Sequence, residues 1–175
     1  LKNIESKEFA EMQLEIRRGN VNNEFVESIL DVIENNKQIR AYLRNPLLLS
    51  MFLLVYELNQ EVPNKKSDFY DYVFIALSTE HNSLSKPGFV YPKKSTLSNS
   101  QLREIVEIFS FVSFFNGEFS FKQSDAISQF RRISQKGYNG LSYNEEHVMD
   151  DFLMAIPVMI KDGLEIKFPH RSLQE

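Results

Sequence analysis

The chain carries three histidines, His81, His147 and His170. None has a partner at metal-ligand spacing of the HExxH kind. No GxxxxGK[ST], GxGxxG or GxSxG occurs, so the chain offers no phosphate-cradling loop and no nucleophile elbow. Cysteine is absent, which excludes disulfides and thiolate metal sites and fits a reducing compartment. The carboxylates are scattered along helix faces and read as solvated surface. Lys65, Lys66, Lys93 and Lys94 lie in loops, where solubility accounts for them. No catalytic constellation stands out. One histidine is placed distinctively: His170 follows the alternating run Glu165-Ile166-Lys167-Phe168 and Pro169, just before Ser172 opens a helix.

Most of the chain reads as helix. Phe25-Val26, Ile29-Leu30 and Val32-Ile33 recur at helical spacing, predicting an amphipathic helix over Asn23 to Glu34. Ile39, Tyr42 and Leu43 continue the pattern in a short helix that ends near Asn45, because a residue before proline disfavours helical dihedrals. Pro46 then takes the first position of the next helix with Asn45 as its cap. That helix, Pro46 to about Leu58, is apolar nearly all round and should be buried. Asp68 to about Glu80 forms another, capped by Ser67 or Asp68, with Phe69, Tyr70, Tyr72, Val73, Ile75, Ala76 and Leu77 on its aromatic side. Ser83 to Asn99 is a polar loop with two prolines and a glycine, and it marks a boundary.

Ser100 is expected to cap a helix through Phe115, with Leu102, Ile105, Val106, Ile108, Phe109, Val112, Phe114 and Phe115 as its apolar set. Asn116-Gly117 ends it. Phe119 and Phe121 alternate as a short strand. Ser124 opens a helix bearing Ala126, Ile127, Phe130 and Ile133. Ser142-Tyr143-Asn144-Glu145 reads as a capping box, starting a helix with Val148, Phe152 and Leu153. Asp162-Gly163 between two alternating runs is the strongest short hairpin signal. Ser172 and Glu175 read as the cap and third position of a last capping box. The order helix, strand, helix, helix, hairpin is that of a winged helix. The fold class expected is therefore mainly α: a helical bundle over 1–83, a linker loop over 84–99, and a winged-helix domain with a C-terminal hairpin wing over 100–175.

Composition narrows the function classes. Hydrophobic residues make up 42% and charged residues 25%, as in a soluble globular protein. The longest apolar run, Leu47 to Tyr56, is about half of what spans a bilayer, so no membrane association is expected. A net charge of −4 argues against a nucleic-acid partner. The helix that would enter a groove, SYNEEHVMDDFLM, has four carboxylates and no Lys or Arg. Such a helix is repelled by phosphate. Only Arg131 and Arg132 on the preceding helix weigh the other way.

Two stretches go beyond architecture: IRAYLRNPLLLSMFLLVYELNQEVPNKKSDFYDYVF and LEIKFPHRSLQE. Together they resemble the NACHT group of signal-transduction (STAND) P-loop NTPases, which includes animal NOD-like receptors and bacterial anti-phage proteins. The resemblance rests on Asn45 to Leu49 as the NPLLL motif, on Val62-Pro63 and on Phe69-Tyr70-Asp71. It rests also on Phe168, His170, Arg171, Ser172, Gln174 and Glu175, with Leu173 replacing an aromatic residue of the family pattern. It covers roughly residues 24 to 175. It implies that the chain is the lid portion of a longer cytoplasmic switch ATPase whose P-loop core, with its Mg²⁺ and ADP or ATP, lies upstream. Pro46 would pack near the adenine base and His170 would hydrogen-bond the β-phosphate of ADP, closing the inactive state. Release would allow homo-oligomerisation, in innate immune or anti-phage signalling. The lid alone would not hydrolyse ATP, having nothing to hold Mg²⁺ and the γ-phosphate. Read without the family, Pro46 simply begins a buried helix and His170 is a histidine bonded to backbone beneath the hairpin. The competing functions are a protein-interaction scaffold without nucleotide contact and a winged-helix nucleic-acid regulator.

Overall fold

The computed structural model describes residues 23–36, 43, 45–59, 65–79, 91–136 and 141–175. The expected short helix through Ile39 and Tyr42, Val62-Pro63, His81 and residues 83–90 of the Ser83–Asn99 loop lie outside them. The chain is mainly helical with one small three-stranded antiparallel sheet. It divides into two compact units, Leu1–Ala76 and Leu77–Glu175.

The first unit contains α1 (Asn23–Asn35), α2 (Pro46–Asn59) and most of α3 (Lys66–Thr79). Helix α1 buries Val26, Ile29 and Ile33, one stripe at helical spacing. Helix α2 is buried nearly all round, from Leu48-Leu49 through Met51 to Tyr56, as its composition requires. Phe25 of α1 lies 5.8 Å from the ring of Tyr56. Helix α3 opens two residues earlier than the Ser67 or Asp68 cap implied. Both residues lie inside its first turn, where the Ser67 hydroxyl donates to the Asp68 carboxylate at 3.2 Å. It buries Phe69, Val73, Phe74 and Ala76, while Ile75 is exposed.

The second unit runs α4 (Asn99–Phe115), β1 (Phe121–Lys122), α5 (Gln123–Gln135), α6 (Glu145–Asp150), β2 (Ile160–Asp162) and β3 (Glu165–Lys167). The sheet order is β1-β3-β2, with Phe121 opposite Ile166 and Ile160 opposite Lys167. Phe121 and Ile166 are buried, so the face they share is the core face. Phe119 lies outside the strand, and the Gly163-Leu164 pair, rather than Asp162-Gly163, makes the hairpin turn. Gly163 takes φ +62°, a left-handed conformation that a two-residue hairpin needs and a side chain resists.

The core is a set of phenylalanine rings. Phe109 of α4 lies 5.0 Å from Phe121, 4.7 Å from Phe130 and 6.3 Å from Phe168. Phe130 continues to Phe152 at 5.7 Å. Each fully buried ring of this kind contributes about 1.5–3 kcal/mol.

The helix caps differ from the sequence expectation in a consistent way. Helix α4 is capped by Ser98, not Ser100: the Ser98 hydroxyl accepts the Gln101 amide and the Gln101 side chain accepts the Ser98 amide. Helix α6 is capped by Asn144, not Ser142, through the His147 amide at 3.0 Å. Helix α5 begins at Gln123 after Lys122, with no side-chain cap, so Ser124 sits inside it. The other end of α4 matches expectation. Gly117, at φ +72°, donates to Phe114 O, and Glu118 donates to Ser113 O. These are the paired bonds of a Schellman turn.

After Asp150 the helix widens into a π-turn over Asp151–Ala155, closed by the Ile156 amide on Asp151 O at 2.7 Å. Asp151 is only 1% exposed. Its carboxylate accepts the amides of Lys94 (2.6 Å) and Ser95 (3.1 Å) and the Ser95 hydroxyl (2.5 Å). Lys94 also reaches Asp150 at 2.6 Å. That ion pair is exposed and contributes little. The buried carboxylate is the strong tie, because hydrogen bonds to a charged group contribute about 1.5–3 kcal/mol and removing the acceptor strands the donors.

Replacing Asp151 with Ala is accordingly expected to destabilise the second unit by about 3 kcal/mol in urea unfolding. A loss below about 1 kcal/mol would mean that water serves the same amides. A second test is pH. The Tyr143 hydroxyl donates to Phe130 O at 2.8 Å, and burial, aided by Glu145, pushes its pKa up to about 12 from 10.0. Between those values the unfolded chain has lost the phenol proton and the folded chain keeps it. This group's stabilisation is thus full below about pH 10 and falls as pH rises to about 12. Tyr143→Phe should remove that part of the decline; identical slopes in the two proteins would refute it.

Candidate functional site

The segment after β3 is built by the core beneath it. Ile166 and Phe168 are buried, and Phe168 reaches the Phe109 ring, so the chain leaves the sheet at a fixed point. His170 is extended, at φ −148° and ψ 141°, and a 3-10 turn follows over Arg171–Leu173. The turn is closed by Leu173 N on His170 O at 3.0 Å and Gln174 N on Arg171 O at 3.0 Å.

The cap of this turn is His170 itself. Its Nδ1 accepts the Ser172 amide at 3.2 Å and meets the Ser172 hydroxyl at 2.5 Å. The expected roles of Ser172 as cap and Glu175 as third position are therefore replaced: the Ser172 amide donates to the histidine. An Nδ1 that accepts an amide proton carries none of its own, so the ring proton sits on Nε2. The imidazole is half-buried.

Arg171, which opens the turn, and Gln174, which follows it, reach the end of α4. The Arg171 guanidinium lies over the Phe119 ring at 4.1 Å and near the Phe114 ring at 5.7 Å. Gln174 is 2% exposed. Its Nε2 donates to Ser113 Oγ and to Glu118 O, both at 2.7 Å. Ser113 Oγ in turn donates to Phe109 O at 2.7 Å. The buried amide and hydroxyl thus satisfy each other where α4 ends.

Helix α4 has two apolar faces. Leu102, Ile105, Val106 and Phe109 are buried. Ile108, Phe111, Val112 and Phe115, also at helical spacing, lie on the other side. Phe111 is 72% exposed and Phe115 82%, and their rings stack at 6.3 Å. Phe114 and Phe119, in edge contact at 6.0 Å, are partly exposed beside them. Of the apolar set read from the sequence, Val112, Phe114 and Phe115 lie outside the buried face. A helix with 17 residues can present two apolar stripes, and composition alone does not say which is covered.

Pro46 belongs to the first unit, His170 to the second. Pro46 is exposed at the start of α2. Asn45 Oδ1 accepts the amides of Leu47 (2.9 Å) and Leu48 (3.4 Å), and Asn45 O accepts Leu49 N at 3.0 Å. The donors of this first turn are therefore occupied within the chain, and the helix start presents a pyrrolidine face instead of free N–H groups.

Of the other candidates, His147 is exposed at the third position of α6 and its amide serves the cap. Lys93 Nζ donates to Leu97 O at 2.8 Å and Asn99 Oδ1 at 2.9 Å, so two of the loop lysines, Lys93 and Lys94, hold local structure. Among the described residues no group of His, Cys, Asp or Glu is placed to hold a metal ion, and no helix is long and apolar enough to cross a membrane. Sequence reasoning missed Arg171 and Gln174 as contacts to α4. The sequence singles out the residues but not these contacts, because their partners lie 52 to 61 residues away. Comparison with known protein families, characterised proteins and solved structures gives no match.

The exposed ring pair yields a direct check. Phe115→Ser should leave stability within about 0.5 kcal/mol, as for a surface substitution. Phe109→Ala should cost about 3–5 kcal/mol. Comparable losses for both in urea unfolding would show that the Phe111–Phe115 face is covered in solution.

Proposed function

We propose that the chain is the regulatory lid of a NACHT-type STAND ATPase, in which His170 holds the β-phosphate of ADP in the closed state. The observation that carries this reading is the contact of the imidazole Nδ1 with Ser172. With Nδ1 so engaged, Nε2 bears a proton and is the nitrogen left to donate to an anion. The exposed Pro46 ring suits a base-stacking role in the same scheme. The architecture adds support: helix, strand, helix, helix and hairpin, with β1 paired to the second hairpin strand, agrees with a winged helix following a helical bundle.

In this scheme the P-loop core of the same cytoplasmic protein binds Mg²⁺ and hydrolyses ATP, and the lid contributes only differential contacts. ADP bridging the core and His170 favours the closed arrangement. Exchange for ATP, or an activating signal, removes the bridge and permits homo-oligomerisation in immune or anti-phage signalling. A typical coupling between two such sites is about 1–3 kcal/mol, or roughly 5–150-fold in affinity.

The reading requires a GxxxxGK[ST] after a predicted strand in the coding sequence that precedes Leu1. Expressed with that segment, the protein should retain ADP through purification, and His170→Ala should lower retention and raise basal activity. Absence of a P-loop, or nucleotide content unchanged by His170→Ala, would overturn it.

A further inference from the structure

The residues next to His170 do not face a ligand. They grip the end of α4. Within one 3-10 turn, Ser172 ties to the imidazole, Arg171 lies on Phe119, and Gln174 is buried between Ser113 and Glu118. The turn is closed by backbone bonds at 3.0 Å from Leu173 N to His170 O and from Gln174 N to Arg171 O, so the three attachments sit within one hydrogen-bonded unit. What they cover is specific. Phe114 and Phe119 form one edge of an aromatic face whose other members, Phe111 and Phe115, stand open.

We infer that the segment from His170 to Gln174 is a strap over the end of α4, with its grip set at the imidazole. An anion accepting from Nε2–H raises the electron density on Nδ1 and strengthens the bond it receives from the Ser172 amide. That tightens the turn, seats Arg171 and Gln174, and keeps the Phe114–Phe119 edge covered. Loss of the anion weakens the cap, and the strap releases a larger aromatic face. The inference rests on the nucleotide reading for its stimulus only; the strap itself is a property of this chain.

The test is NMR of the chain with uniform ¹⁵N and ¹³C-phenylalanine labels. It follows the Ser172 amide, the Gln174 side-chain amide and the Phe119 ring. In His170→Ala all three should change together, with exchange of the Gln174 side-chain amide faster on the order of tenfold, while the amides of α5 stay protected as a control for folding. Gln174→Ala should produce the same Phe119 shift from the opposite end. A change confined to the Ser172 amide would overturn the strap. In the protein extended to its P-loop, ADP should slow exchange at Gln174. If ADP binds through His170 and the Gln174 and Phe119 signals do not move, the strap is wrong and the nucleotide reading stands. If the three signals move together in His170→Ala but ADP does not bind, the nucleotide reading is wrong and the strap stands.

Discussion

The ring of Phe109 is where four separate segments of the second unit meet. It touches β1 through Phe121, α5 through Phe130 and the exit from β3 through Phe168, and Phe130 passes the contact on to Phe152 in the π-turn. A two-residue strand and two three-residue strands cannot hold a sheet by their ladder bonds alone. The sheet exists because its core-facing residues, Phe121 and Ile166, sit on this cluster. The position of the segment after β3 follows. Phe168 is fixed by Phe109, so His170 emerges two residues later at a defined place beside the end of α4.

The polar ties work at the margins of that cluster. Asp151 gathers two amides and a hydroxyl from Lys94 and Ser95, which fixes the approach to α4 against the π-turn. Ser113, Gln174 and Glu118 O do the equivalent at the far end of α4. Both networks leave their buried polar atoms satisfied, which is the condition under which such groups order a structure without a large penalty. Helix α4 is therefore clamped at both ends by polar groups and along one side by rings, and its other side presents Phe111 and Phe115 to solvent. A face of this kind is uncommon on a surface with no partner.

The parts legible in the sequence were those set by local rules. Periodicity located α1 to within a residue, Asn45-Pro46 located the start of α2, and Asn116-Gly117 ended α4 through a glycine at positive φ. Where several capping residues crowd together, the choice went wrong. Ser98 and Ser100 are both competent, and only the glutamine three residues after Ser98 distinguishes them. Asn144 caps α6 although Ser142 is the one with a glutamate three residues later, so there the capping-box pattern points to the wrong residue. The π-turn, the burial of Asp151 and the split faces of α4 were not legible, because each depends on a residue more than fifty positions away or on which of two apolar stripes finds a neighbour. The histidine was visible as a candidate, but its tautomer was not, since that is fixed by Ser172 in the folded turn.

The choice of histidine as a cap has a chemical consequence. Most caps are oxygen acceptors, and aspartate in this place would receive the Ser172 amide with nothing to donate. Asparagine has a donor, but on the same carbon as its acceptor and so close to the turn. Imidazole accepts at Nδ1 and carries its proton across the ring to Nε2, farther from the backbone it caps. The two nitrogens share one π system, so what happens at Nε2 is felt at Nδ1. A cap built this way binds the turn and senses charge outside it with the same side chain. The adjoining Arg171 and Gln174 then convert the strength of that cap into how firmly the end of α4 is held.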